Sequence, residues 1–200
     1  NIKLILSLHK TLLTNIDDNI AGRFRVGKEW VRVGNHLGAN PQFVPTLMQE
    51  LVDYYNQNKI SYFLDAVSHF HAEFETIHPF LDGNGRIGRL LITLYLVNND
   101  LLTKPTLYLS DFFEKHRLLY YDNLTRVRTH NNLVQWLKFF LEGVRATSEN
   151  SIQTFKNIIK LRSEAEAKIV KLGKKQEMAR EFLQHLYSTN TIELLCLLLQ

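Results

Sequence analysis

The chain has 200 residues, of which 45% are hydrophobic, 22% charged and 11% aromatic, with 9 glycines and 4 prolines. That composition excludes a disordered, collagen-like or low-complexity chain and provides enough apolar residues for one compact core with a smaller unit appended. A net charge of +4 spread along the sequence is too mild to argue for nucleic acid or an anionic membrane, and no apolar run approaches bilayer length. The single cysteine, Cys196, forms no intrachain disulfide and suits a reducing, cytoplasmic setting. The chain opens on Asn1 without a basic, then apolar, leader, which suggests an excised piece lacking a signal peptide.

Residues 1–145 read as one mostly helical unit with no internal repeat. The stretch Arg25 to Asn35 interrupts the helical pattern, because Trp30, Val31 and Val33 alternate with polar residues beside Gly27 and Gly34; this predicts a short β-ribbon. Pro41 and Pro45 bracket a loop, after which a helix resumes near Leu47. Phe63, Val67, Phe70, Phe74 and Ile77 recur at steps of four and three, as do Ile87, Leu90, Leu91, Leu94 and Val97, so two amphipathic core helices flank residues 78–86. Helices around Leu107 to Arg126 and Leu133 to Val144 complete the unit. Residues 146–200 are charged, carry scattered apolar positions such as Ile152, Phe155 and Phe182, and break only at Gly173; they predict a helical extension. Asn190 to Glu193 resembles a capping box opening a further helix, LLCLLL, which would begin a truncated winged-helix domain.

The chemistry lies between the two periodic helices, in His78-Pro79-Phe80-Leu81-Asp82-Gly83-Asn84-Gly85-Arg86-Ile87-Gly88-Arg89. Asp-Gly and Asn-Gly are hairpin dipeptides, but the flanks are helical. A plain helix connection with Asn84 as N-cap accounts for the glycines but not for Arg86 and Arg89, which a helix N-terminus disfavours by about 0.3–1 kcal/mol each unless an anion is present. Gly83, Asn84 and Gly85 leading into that N-terminus offer free amides for phosphate, and the two arginines, three residues apart, add forked donors on the same face. Asp82 beside a phosphate cradle calls for a hard cation, Mg²⁺. His78, four residues earlier, is placed to act as a general base. His69 and His71 point to opposite sides of one helix, and His9, His36, His116, His130 and His185 stand in no ligand-like grouping.

The string HPFLDGNGRIGR resembles the Fic-family pattern HxFx[DE]GNGRxxR at every specified position, and LHKTLL, FR…W…FVP, FETIHPF and KPTLYLSDFFEKHRLLYYDNL extend the resemblance over residues 4–145. It implies an all-α Fic core with a small hairpin flap and a protein adenylyltransferase that moves AMP from ATP to a Ser, Thr or Tyr hydroxyl, releasing pyrophosphate. His78 would take the hydroxyl proton, Asp82 hold Mg²⁺, Gly83, Asn84 and Gly85 form the anion hole, and Arg86 and Arg89 bind the outer phosphates. Phe80 would anchor the core. The flap, Lys28 to Gly34, would receive the target by strand pairing, and self-modification and homo-oligomerisation are left open. Tyr120 and Tyr121 match an aromatic pair near the base, although neighbours on a helix cannot share one pocket. Gly85, where the related Doc proteins carry Lys, favours AMP transfer; the alternatives are use of the same site for removal of AMP, UMP transfer or phosphorylation, or a regulatory DNA-binding or interaction protein. An inhibitory [ST]xxxE[GN] helix is not completed: Leu51 follows Thr46 to Glu50, and Leu194 follows Thr189 to Glu193. The expectation is that such a helix lies upstream and that this piece is less restrained without it.

Overall fold

A computed structural model describes residues 1–57 and 62–188. The expected capping box at Asn190, the LLCLLL helix, Cys196 and the Thr189 to Glu193 segment lie outside the described residues. The chain divides into a unit of residues 1–147 and a unit of residues 148–200.

The first unit is helical. Its elements are α1 (Ile2–Leu13), a hairpin of β1 (Arg32–Val33) and β2 (His36–Leu37), a 3₁₀ turn (Pro41–Phe43), α2 (Val44–Gln57), α3 (Phe63–Ile77), α4 (Asn84–Asn98), α5 (Ser110–Lys115), α6 (Arg117–His130) and the start of α7 (Leu133–Ile169). Two apolar clusters fill it. One gathers Phe70, Phe74 and Phe80 with Met48, Leu51 and Ile87, and the other packs Val67, Ile92, Leu96 and Phe113 around Trp136 and Phe140. Helices α3 and α4 run through both clusters, so the loop between them is anchored on two sides; each large side chain buried there contributes about 1.5–3 kcal/mol.

Three expectations shift. The ribbon sits at the end of its predicted window and runs past it: Val33 pairs with His36 across a two-residue Gly34-Asn35 turn, so the first strand lies inside the window and the second beyond Asn35. Gly34 supplies the positive φ, 57°, that such a tight turn requires. Helix α2 begins at Val44 rather than Leu47, because Pro45 falls in the first turn, where its missing N–H costs nothing. Helix α7 does not stop near Val144 but continues to Ile169, since nothing between breaks it.

In the second unit, a 3₁₀ stretch (Val170–Lys175) turns at Gly173, φ 55°, into α8 (Gln176–Ser188). Arg162 pairs with Glu166 at 2.9 Å and lies over the Tyr187 ring. No described helix is long and apolar enough to cross a membrane.

Candidate active site

Helix α3 ends on His78, which caps it in the left-handed conformation (φ 52°, ψ 64°) and turns the chain sharply. Non-glycine residues adopt that geometry only where the surroundings hold them. Here the holder is Arg25, fully buried, which reaches across from before the hairpin. Its Nε donates to the His78 carbonyl at 2.7 Å and its Nη2 to the carbonyls of Ile77, at 3.0 Å, and Ala39. The Ile77 and His78 carbonyls are ones that the end of α3 leaves without intrahelical partners. The amide of Arg25 also donates to the Pro79 carbonyl at 3.0 Å. Gly38, just after β2, approaches so closely that a Cβ there would lie 3.2 Å from the His78 Cβ and 2.9 Å from Arg25 Nη2. His36 of β2 donates from Nε2 to the Thr76 carbonyl at 2.9 Å, fixing the hairpin to the end of α3.

The loop after His78 is closed by Asn84. Its Oδ1 accepts from the Phe80 amide and its Nδ2 donates to the Phe80 carbonyl, both at 2.8 Å and both buried. Asn84 therefore does not cap α4; the N-cap is Gly83, in the left-handed region at φ 81°. Phe80 is fully buried, as its expected anchoring role requires. It stacks on His9 with ring centroids 3.7 Å apart. His9 accepts at Nδ1 from the Gly22 amide (3.0 Å), so Nε2 carries the hydrogen and donates to the Asp82 carbonyl at 3.0 Å. Burial holds the His9 pKa below its ordinary value, so the ring stays neutral.

The loop thus presents the first amides of α4, which no intrahelical carbonyl can take, together with Asp82, Arg86 and Arg89. Asp82 is largely exposed and bonds inward: one carboxylate oxygen accepts from the Gly83 amide at 2.6 Å and the other from Arg86 at 2.8 Å. Arg89 donates from Nε to Ser110 Oγ at 3.1 Å and lies over Gly85, where a Cβ would come within 2.9 Å of its Nη1. His78, Asp82, Gly83, Asn84, Gly85, Arg86 and Arg89 therefore belong to one helix end, one loop and one helix start.

The tyrosine pair does not join them equally. Tyr120 is buried in the core, stacked on Phe113, and its hydroxyl lies 2.9 Å from His71 Nε2. It has no face to offer a nucleotide base, whereas Tyr121, on the next position of α6, is partly exposed with Arg117 over its ring. A cleft of about 500 Å³ lies elsewhere, lined by Leu47, Leu51, Tyr54, Glu73, Ile77 and Arg128, and includes none of the loop residues.

Sequence reasoning misses His9, Arg25, Glu75 and His36. The signal for the first three is that LHKTLL, FR and FETIHPF, which carry the family resemblance, contain His9, Arg25 and Glu75.

The architecture defines a class: a helical domain in which a glycine-rich helix start follows directly on a histidine that caps the preceding helix, beside a small hairpin. Residues 1–96 match the family described as Fic/DOC. The protein adenylyltransferase Fic of Drosophila willistoni is 38% identical over 99 residues, 48% of this chain and 19% of that protein. The protein adenylyltransferase fic-1 of Caenorhabditis elegans is 30% identical over 162 residues, 80% of this chain and 29% of that one. Among solved structures, a Fic family protein from Desulfovibrio desulfuricans superposes with a TM-score of 0.69 at 31% identity, over 77% of this chain and 47% of that chain. The chain has the Fic-type helical fold and, over residues 1–96, matches the Fic/DOC family. It spans less than a third of the length of these two adenylyltransferases.

Proposed function

We propose that the chain transfers AMP from ATP to a hydroxyl of a protein target. The observation that carries this reading is the left-handed cap at His78, which turns α3 directly into a loop whose base Asn84 ties back to Phe80. A histidine and a phosphate-accepting helix start are thereby built into one rigid turn. The target oxygen attacks the α-phosphorus as the bond to pyrophosphate breaks, and the hydroxyl proton passes to the His78 imidazole. A base so placed contributes about 10²- to 10⁴-fold. The helix-start amides and Arg86 and Arg89 would meet the phosphate charge that the reaction redistributes.

A magnesium ion fits the donor set. A lone exposed carboxylate suits a cation that arrives on phosphate oxygens, as Mg²⁺ does, and does not suit a dedicated cage; no cluster of three or more metal-ligating side chains occurs among the described residues. Asp82 would hold it, exchanging its present bonds to Gly83 and Arg86. The ion would supply charge neutralisation on the nucleotide.

The target segment would add to the edge of the hairpin, near Lys28 to Gly34, by main-chain pairing. ATP labelled on the α- or the γ-phosphate tests the reading: label on protein from the α position alone is expected. Label from the γ position alone would make the protein a kinase.

A further inference from the structure

Behind His78 lies a carboxylate that the transfer step does not use. Glu75, on the last turn of α3, is 7% exposed, and its Oε2 stands 3.5 Å from His78 Nδ1. Contacts of this kind are often long in ligand-free sites and tighten when the substrate arrives. The other oxygen, Oε1, is buried with no hydrogen-bond partner among the described residues. It rests against α4 at Gly88, where a Cβ would lie only 2.6 Å from it and also within 3.1 Å of the His71 ring and 3.2 Å of the Phe74 ring. Gly88 is therefore the position that leaves room for this carboxylate at the crossing of α3 and α4.

A carboxylate is costly to bury unless something cationic or hydrogen-bonding faces it. The charged and titratable groups around it are His71 and His78 on its own helix, His36 on β2, Arg89 on α4, and Tyr120 and Arg128 on α6. Burial pushes the Glu75 pKa up, but His78, His71 and Arg89 outweigh it and hold the group below its ordinary value. An ionised carboxylate only accepts, so the ring nitrogen facing it carries the hydrogen. In a neutral imidazole the other nitrogen then keeps its lone pair. Among the described residues, no hydrogen bond is made to His78 Nε2.

We infer that Glu75 is the positioning residue of the site: it holds His78 as the Nδ1–H tautomer, so that Nε2 is the atom free to take a proton. The part of this inference that concerns catalysis rests on the AMP-transfer reading above. The part that concerns the ring does not.

The test is long-range ¹H–¹⁵N spectroscopy of the full chain with ¹⁵N-labelled histidine, without nucleotide, above the pH at which imidazole protonates. Wild type is expected to show His78 protonated on Nδ1. Glu75→Leu should move the ring toward the Nε2–H form and lower kcat for transfer by about tenfold or more, while KM for ATP stays within about twofold, because Glu75 touches neither loop nor nucleotide. Glu75→Asp should recover part of both effects. A purely structural role would lower Tm and leave the His78 resonances unmoved. Should Glu75→Leu not fold, Gly88→Ala, whose methyl displaces Oε1, is expected to shift the tautomer in the same sense. Nε2–H in wild type, or an unaltered tautomer in both variants, overturns the inference. An Nδ1–H ring in a chain that incorporates no α-label would instead overturn the AMP-transfer reading and leave the hold on the ring standing.

Discussion

Asn84 directs both ends of its side-chain amide at the backbone of Phe80, which leaves only its main-chain N–H for an anion. Its side chain builds the cradle and takes no part in lining it. Asn84→Ala would leave a buried donor and acceptor of Phe80 unmatched, so a loss of about 1–3 kcal/mol in denaturant unfolding is expected, with weaker nucleotide binding as the loop loosens. Arg86 has a different standing: exposed and paired with Asp82, it contributes little to stability, as surface ion pairs generally do. Arg86→Ala should therefore leave Tm within a degree or two by the usual relation of stability to Tm, while weakening ATP binding measured by calorimetry. Equal ATP affinity in wild type and Arg86→Ala would remove Arg86 from the phosphate site.

At the scale of elements, the site is the end of α3, the start of α4 and the hairpin that braces them. Arg25 ties the end of α3 to the segment that leaves the hairpin, through the carbonyls of residues 39, 77 and 78. Lysine in its place keeps the charge but lacks the planar fork that bonds several carbonyls at once. Arg25→Lys is expected to cost about 2 kcal/mol or more in thermal or chemical unfolding and to lower transfer, since His78 loses the partner of its left-handed carbonyl. Unchanged stability would show that the cap holds without it. The contrast with the motif explains what was legible beforehand. His78 to Arg89 is contiguous, so residue order alone places a histidine, a glycine loop and a helix start together. Arg25 meets Ile77 and His78 across more than fifty residues, and His9 meets Asp82 across seventy-three; no local pattern reports such contacts. The α3 and α4 periodicities were readable for the same reason the motif was. The hairpin register was not, because two-residue strands carry almost no alternation to read. Tyr120 turned inward because α6 presents one face to the core, and adjacency on a helix decided which of the two tyrosines that would be.

For the whole molecule, the stability of the first unit is coupled to pH through the loop's supports. Folding depresses the His9 pKa below its ordinary 6.5, chiefly through burial. In the window below 6.5 the unfolded chain binds a proton that the folded chain refuses. The stabilisation is therefore complete above 6.5 and falls away as the solution is acidified toward the depressed value. Protonation would also remove the acceptor that Nδ1 offers to Gly22. Melting temperatures taken from pH 8 to pH 5 should drop more steeply in wild type than in His9→Gln, which cannot titrate; parallel slopes would assign the acid sensitivity to other groups. His9, Phe80 and Asn84 together explain how a loop of small, polar residues keeps one conformation, with stacking on one side and a closed amide ring on the other.

The central claim is that His78 removes the proton while the α4 start holds the nucleotide. The measurement that reaches it most directly is a paired assay of wild type and His78→Ala, reading ATP affinity by calorimetry and protein labelling from α-labelled ATP. The account predicts near-equal affinity and a loss of labelling of about 10²-fold or more in the variant. Equal labelling by the two proteins would contradict it.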